Sequence, residues 1–218
     1  RNASGAASSH YNSGVTPSKV VLWAESHDTY ANDDKESTYV STTDMNKTWA
    51  MVGSRNNATA LYLARPNGGG TQLGAADKTA WANPEVKAVN QFHNAFIGQS
   101  EYLSSSGSIA YNERGTSGVV LVNVGGTSTS VNVAAKKMAA GTYKDAITGN
   151  TFTVSGGQIS GQIGSTGVAV VYNAVAPGPS ASITPGSQSY KTDTLELTLN
   201  YNSEATSGQY SINGGAFQ

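Results

Sequence analysis

Up to about Gly98 the apolar positions fall into two alternating rhythms. Lys19-Val20-Val21-Leu22-Trp23 holds a short continuous apolar run, which predicts a strand buried on both faces, as in a parallel sheet covered by helices. Asp44 can cap a helix running through Trp49, Ala50, Met51 and Val52, and Asn56-Asn57 would stop it. Ala60-Leu61-Tyr62-Leu63-Ala64 is a second buried strand, closed by Arg65-Pro66. After the loop Gly68-Gly69-Gly70 comes the clearest helix. Asn83 is its N-cap, Pro84 fits the first helical position and Glu85 favours the positive end of the dipole. Val86, Val89, Phe92, His93, Phe96 and Ile97 recur at helical spacing, with Gly98 as C-cap. Trp23 and Trp49 lie inside these apolar elements and are expected in the core, whereas Trp81 sits on a loop.

From Ser104 the period shortens. Ile109 to Arg114, Gly118 to Val124, Ser128 to Val133, Gly141 to Asp145, Thr151 to Val154, Gln158 to Ile163 and Val168 to Tyr172 read as short strands at the spacing of an antiparallel sandwich. Gly125-Gly126, Gly149-Asn150, Gly156-Gly157 and Gly164 punctuate them. Pro177-Gly178-Pro179 marks a linker over 174–182. Beyond it Thr194-Leu195-Glu196-Leu197-Thr198-Leu199 alternates strictly, and Gln209 to Ile212 leads into the hairpin signal Asn213-Gly214-Gly215. Two or three strands cannot build an independent sandwich, so 183–218 reads as a truncated β module.

Composition narrows the function classes. The 218 residues carry 13 basic and 14 acidic side chains, a net charge of -1. That balance argues against nucleic acid and against a membrane surface as partner, since both require clustered Lys and Arg. The absence of Cys excludes disulfides, thiolate metal sites and a cysteine nucleophile. No apolar run approaches the roughly 20 residues of a membrane-spanning helix. The first residues, Arg1-Asn2-Ala3-Ser4, have neither a Met nor the apolar core of a signal peptide, and read as an internal cut or a processed end.

The densest chemistry is Trp23-Ala24-Glu25-Ser26-His27-Asp28-Thr29-Tyr30-Ala31-Asn32-Asp33, directly after the first buried strand. In a barrel of alternating strands and helices, the C-terminal ends of strands face the active-site mouth, which makes Glu25, His27 and Asp28 catalytic candidates. A Ser26-His27-Asp28 triad fails on geometry, because consecutive extended residues point to alternate faces and cannot converge. His10 and His93 show no ligand spacing with His27, so no metal site is assigned. Taken alone, a His-Asp pair also fits a solvated loop with one capping Asp.

Val21 to Asp33 resembles the fourth signature region of glycoside hydrolase family 13, the α-amylase family, in which a His-Asp pair ends barrel strand seven. Asn56 to Pro66 is similar to strand eight and its exit, and Asn83-Pro84-Glu85-Val86 through Phe92-His93-Asn94-Ala95-Phe96 is similar to the last barrel helix. Asn112-Glu113-Arg114-Gly115 and Gly118 to Asn123 resemble the opening of the C-terminal β domain. The series is collinear with secreted bacterial members over roughly residues 12 to 173.

The resemblance implies a multidomain α/β plus all-β chain. Its parts would be the C-terminal part of a (β/α)8 TIM barrel (1–99), an antiparallel β-sandwich (100–173), the linker and the truncated module. It also implies retaining, endo-acting cleavage of α-1,4-glucosidic bonds in starch or maltooligosaccharides by a secreted, extracellular monomer. Asp28 would be the transition-state stabiliser and His27 a sugar-hydroxyl ligand, with Asn32 and Asp33 lining the substrate cleft. Calcium is implied, with ligands outside this chain. The family's nucleophile and acid signatures do not occur here, so the fragment itself is expected to be inactive. Glu25 is expected to tie the strand end to a neighbour, and Arg65 to be an ion-pair partner at the barrel mouth. A cyclodextrin or other α-glucanotransferase of the same family would show the same His-Asp motif, and a non-catalytic starch-binding protein built on the β domain and tail is the alternative from another class. The tail is similar either to carbohydrate-binding modules of starch-degrading enzymes, with Tyr190, Tyr201, Tyr210 and Phe217 as stacking aromatics, or to an Ig-like spacer.

Overall fold

The computed structural model describes residues 2–8, 14–31, 37–66, 79–172, 181–186, 189, 191, 193–201, 205, 207–211 and 214–217. The chain divides into two compact units, Arg1–Asn173 and Ala174–Gln218.

The first unit opens with α1 (Ala3–Ala6), β1 (Val21–Trp23), α2 (His27–Ala31), α3 (Thr42–Gly53), β2 (Thr59–Leu61) and α4 (Pro84–Ala95). Strands β1 and β2 pair in parallel, Val21 with Thr59 and Trp23 with Leu61. Parallel neighbours need a crossover connection, and α2 and α3 supply it. The expected strand–helix–strand–helix order is therefore present. A closed barrel is not, since this parallel sheet has two strands among the described residues.

The burial of the pair differs from expectation. Leu22 is half-buried and Ala60 packs against the core, but Val21, Trp23 and Leu61 are 45%, 51% and 54% exposed. Trp23 is thus not a core residue here, while Trp49 is buried. The difference arises because α3 covers one face of the pair and no described element covers the other.

Helix α3 is capped by Ser41 rather than Asp44. The Ser41 hydroxyl accepts the Asp44 N–H at 3.2 Å and donates to Asp44 Oδ2 at 2.7 Å, a reciprocal cap at the positive helix end. Helix α4 starts as its sequence dictates, with Asn83 Oδ1 accepting the Glu85 N–H at 3.0 Å. It ends at Ala95, short of Ile97. The Phe96 carbonyl freed at that end accepts from Arg114 Nη2 at 2.6 Å, and Gly98 turns the chain two residues later with φ of 75°. Trp49 Nε1 donates to Asn90 Oδ1 at 3.2 Å, and His93 Nδ1 lies 2.9 Å from the Gly53 carbonyl oxygen, which ties α3 to α4.

Eight antiparallel strands follow: β3 (Glu101–Ser106), β4 (Ile109–Arg114), β5 (Gly118–Asn123), β6 (Thr129–Ala134), β7 (Gly141–Asp145), β8 (Thr151–Ser155), β9 (Gln158–Ile163) and β10 (Val168–Tyr172). They form one hydrogen-bonded sheet in the order β3-β4-β5-β10-β7-β8-β9-β6. The expected sandwich is corrected in one respect: its two layers are halves of a single curled sheet. The halves join where β10 meets β7, through only the pairs Val171–Asp145 and Tyr172–Lys144.

Two cores lie on opposite faces of this sheet. The inner one gathers Tyr111, Val119, Leu121, Ala169 and Val171 from one half with Val131, Phe152, Ile159 and Ile163 from the other. The outer one packs Ala110, Val120, Val122, Val168 and Val170 against Trp49, Met51, Val86, Val89 and Phe92 of α3 and α4. Strands β4 and β5 are consequently buried at every position, whereas β8 alternates exposed and buried.

The second unit pairs β11 (Ala181–Thr184) with β12 (Thr198–Tyr201), antiparallel. The alternating run expected from Thr194 becomes strand only at Thr198, with Leu195 and Leu197 exposed. The strand expected from Gln209 is not formed at 209–211; Ile212 and Asn213 lie outside the described residues, as does Tyr190. Tyr201, Tyr210 and Phe217 are exposed.

Candidate functional site

The chain leaves β1 through Ala24, Glu25 and Ser26 and enters α2, whose first residues are His27 and Asp28. Ser26 and Thr29 fix this turn reciprocally. The Ser26 N–H donates to Thr29 Oγ1 at 3.1 Å and the Thr29 N–H to Ser26 Oγ at 3.3 Å. Ser26 is therefore a capping residue, consistent with the geometric argument against a triad.

His27 Nε2 and Asp28 Oδ1 are 3.1 Å apart, with side chains 81% and 73% exposed. Both stand in solvent at the C-terminal end of a parallel strand, free to meet a ligand. Asn32 and Asp33 lie outside the described residues.

Glu25, three residues before Asp28, has the opposite environment. It is buried, and its carboxylate takes Arg65 Nε at 2.7 Å, Arg65 Nη2 at 2.6 Å and the Ser37 hydroxyl at 2.6 Å. The paired arrangement of planar guanidinium on carboxylate is the strong form of this contact. Arg65 also donates to the carbonyls of Val40 at 2.6 Å and Ser37 at 3.0 Å, and lies 4.7 Å over the Tyr30 ring. Its pKa is held above the ordinary arginine value, chiefly by the hydrogen bonds it donates to Glu25, against the opposing effect of burial.

The sequence marked Glu25 as tying the strand end to a neighbour and Arg65 as an ion-pair partner at the barrel mouth; in the structure they pair with each other. Ser37, Val40 and Tyr30 completed the cluster without any sequence signal. Ser37 contributes through a hydroxyl placed by the turn after α2, and Val40 through its backbone carbonyl, which every residue has. Among the described residues no three His, Asp or Glu side chains converge as a metal site would require. No helix among them is long and apolar enough to cross a membrane.

No family model matches the chain. It is 34% identical over 171 residues to an alpha-amylase of Butyrivibrio fibrisolvens, a match covering 70% of this chain and 17% of that protein. It is 29% identical over 206 residues to an alpha-amylase of Clostridium acetobutylicum, covering 92% of this chain and 26% of that protein. The crystal structure of alpha-amylase I from Eisenia fetida superposes with a TM-score of 0.53 at 15% identity, over 70% of this chain and 40% of that one, which shows a shared fold. The chain thus spans about a quarter or less of the curated relatives it matches. It is a relative of the α-amylases, to which it corresponds over part of their length.

Proposed function

We propose that the chain is the C-terminal portion of a retaining, endo-acting α-amylase that hydrolyses α-1,4-glucosidic bonds in starch and related glucans. The observation that carries this reading is the exposed His27–Asp28 pair on the first turn after a parallel strand, in a chain related to α-amylases. The barrel part of the reading is supported by the apolar face of Val21, Trp23 and Leu61, which further parallel strands would cover.

In this reading Asp28 accepts hydrogen bonds from the hydroxyls of the sugar at the cleavage point, and His27 holds hydroxyls of the same ring. Such contacts accelerate cleavage to the extent that they tighten as the ring flattens toward the oxocarbenium-like state. This reading also assigns Asn32 and Asp33 to sugar binding. A double displacement also needs a nucleophile and an acid about 5 to 5.5 Å apart. Glu25 is committed to Arg65 and Ser37 and supplies neither, so the 218 residues alone do not turn over. Calcium in this reading belongs to the parent enzyme, with its ligands outside this chain. The parent enzyme on this reading is a secreted, extracellular monomer.

The test is made in the longer polypeptide, with a blocked maltooligosaccharide as substrate. Asp28→Asn should lower turnover by about a hundredfold or more, with the circular dichroism spectrum unchanged. Near-normal turnover would overturn the role given to Asp28. Cyclic products from starch would move the assignment to a glucanotransferase.

A further inference from the structure

We infer that Arg65 is a positioning residue for the His27–Asp28 turn: through Glu25, Ser37 and Tyr30 it fixes the turn that presents Asp28 to a sugar. This rests on the reading above and adds a residue to it.

Helix α2, His27–Ala31, is little more than one turn long. One helical turn has too few internal hydrogen bonds to hold its own shape in water. Its stability has to come from outside, and the structure shows where from. The Ser37 N–H donates to the Thr29 carbonyl at 2.9 Å, so the middle of α2 is held by Ser37. Ser37 is held in turn through its hydroxyl on Glu25 and its carbonyl under Arg65. Arg65 also covers the buried Tyr30 ring. Glu25 lies just before the turn and receives the same guanidinium.

One planar cation thus joins the entry to α2, its buried face and the segment that follows it. Arg65 itself stands four residues beyond β2, the strand paired with β1. The orientation of Asp28 is thereby referred to the parallel sheet rather than to a single exposed turn. A Lys can meet Glu25 but cannot span Glu25, Ser37 and Val40 at once, because it lacks the rigid fork of donors. The elevated pKa of Arg65 is consistent with a cation whose neighbours are arranged for it.

The test compares Arg65→Lys and Arg65→Gln with the unaltered protein in the longer polypeptide. Misplacing a catalytic group by about an ångström costs roughly a hundredfold in rate, so Arg65→Gln should lower kcat by about that factor while KM changes less than about twofold. Arg65→Lys should lie between the two. Hydrogen exchange read by mass spectrometry on the peptide spanning residues 26–40 should quicken at least about tenfold in Arg65→Gln, with peptides from β5 and β10 unchanged. Unchanged exchange over 26–40, or a kcat within about twofold of normal, would overturn the inference. Should Asp28→Asn keep near-normal turnover, the role given to Asp28 fails on its own account, and the exchange measurement still decides whether Arg65 fixes the turn.

Discussion

Glu113 and Arg114 are consecutive on β4 and point to opposite faces of the sheet, and each does at a single residue what the fold needs there. The fully buried Glu113 carboxylate accepts the backbone N–H groups of Lys136, Lys137 and Met138 at 2.9, 2.7 and 2.8 Å. Three donors that would otherwise be orphaned in the loop before β7 are satisfied by one side chain. Arg114 serves the other face, where it donates to the carbonyls of Ser54 and Phe96 at the ends of α3 and α4. Replacing Glu113 by Gln puts an NH2 group against backbone donors, so Glu113→Gln should cost roughly 3 kcal/mol in chemical denaturation. A loss below about 1 kcal/mol would mean that the loop finds other acceptors. The motif holding Glu113 and Arg114 was visible as a resemblance, but their partners were not. Backbone N–H and carbonyl groups are the same in every residue, so a sequence does not say which of them a side chain will serve. The same reason hid Ser37 and Val40 around Arg65, although Glu25 and Arg65 were each legible as a charge next to an apolar strand.

At the scale of elements, periodicity carried furthest where an element is covered on both sides. The apolar runs in β5 and β10 are continuous because helices cover one face and the curled sheet the other. Strand β3 has no sequence signal because Glu101-Tyr102-Leu103-Ser104-Ser105-Ser106 is half-buried at the sheet edge and carries neither a continuous nor an alternating apolar pattern. Glycine reads as turn punctuation in a sequence, yet Gly161 sits in the middle of β9, next to β8. A Cβ on Gly161 would lie 2.4 Å from the Phe152 ring, which is fully buried. The bare backbone is what lets that ring lie across the neighbouring strand. Gly161→Ala should therefore destabilise the first unit by about 1–3 kcal/mol, through displacement of Phe152, in thermal unfolding. The double change Gly161→Ala with Phe152→Leu should recover part of that loss, and a neutral single change would show that the ring has room to retreat.

For the first unit as a whole, the curled sheet makes two cores depend on the same strands, and this bears on how the unit comes apart. Tyr111 on β4 and Tyr143 on β7 face the inner core, while Tyr172 on β10 packs edge-on against Phe92 and Phe96 in the outer one. Burial pushes the pKa of all three above the ordinary tyrosine value of 10.0. Tyr111 and Tyr143 also donate their hydroxyl protons to the carbonyls of Ala134 and Ala139, at 3.1 and 2.8 Å, which a phenolate cannot do. In the unfolded chain these groups lose their protons near pH 10, whereas the folded state keeps them, so rising pH favours unfolding. Stability is accordingly undiminished below about pH 10 and falls as pH climbs through the raised folded-state values. Because β4, β5 and β10 belong to both cores, the loss should be shared rather than sequential. Tyrosinate absorbance from these three residues and the circular dichroism of the sheet should change together in one alkaline transition, with Tyr111→Phe and Tyr143→Phe moving it to higher pH. Ionisation of the three near pH 10 with the sheet signal intact would show instead that the cores open to solvent separately.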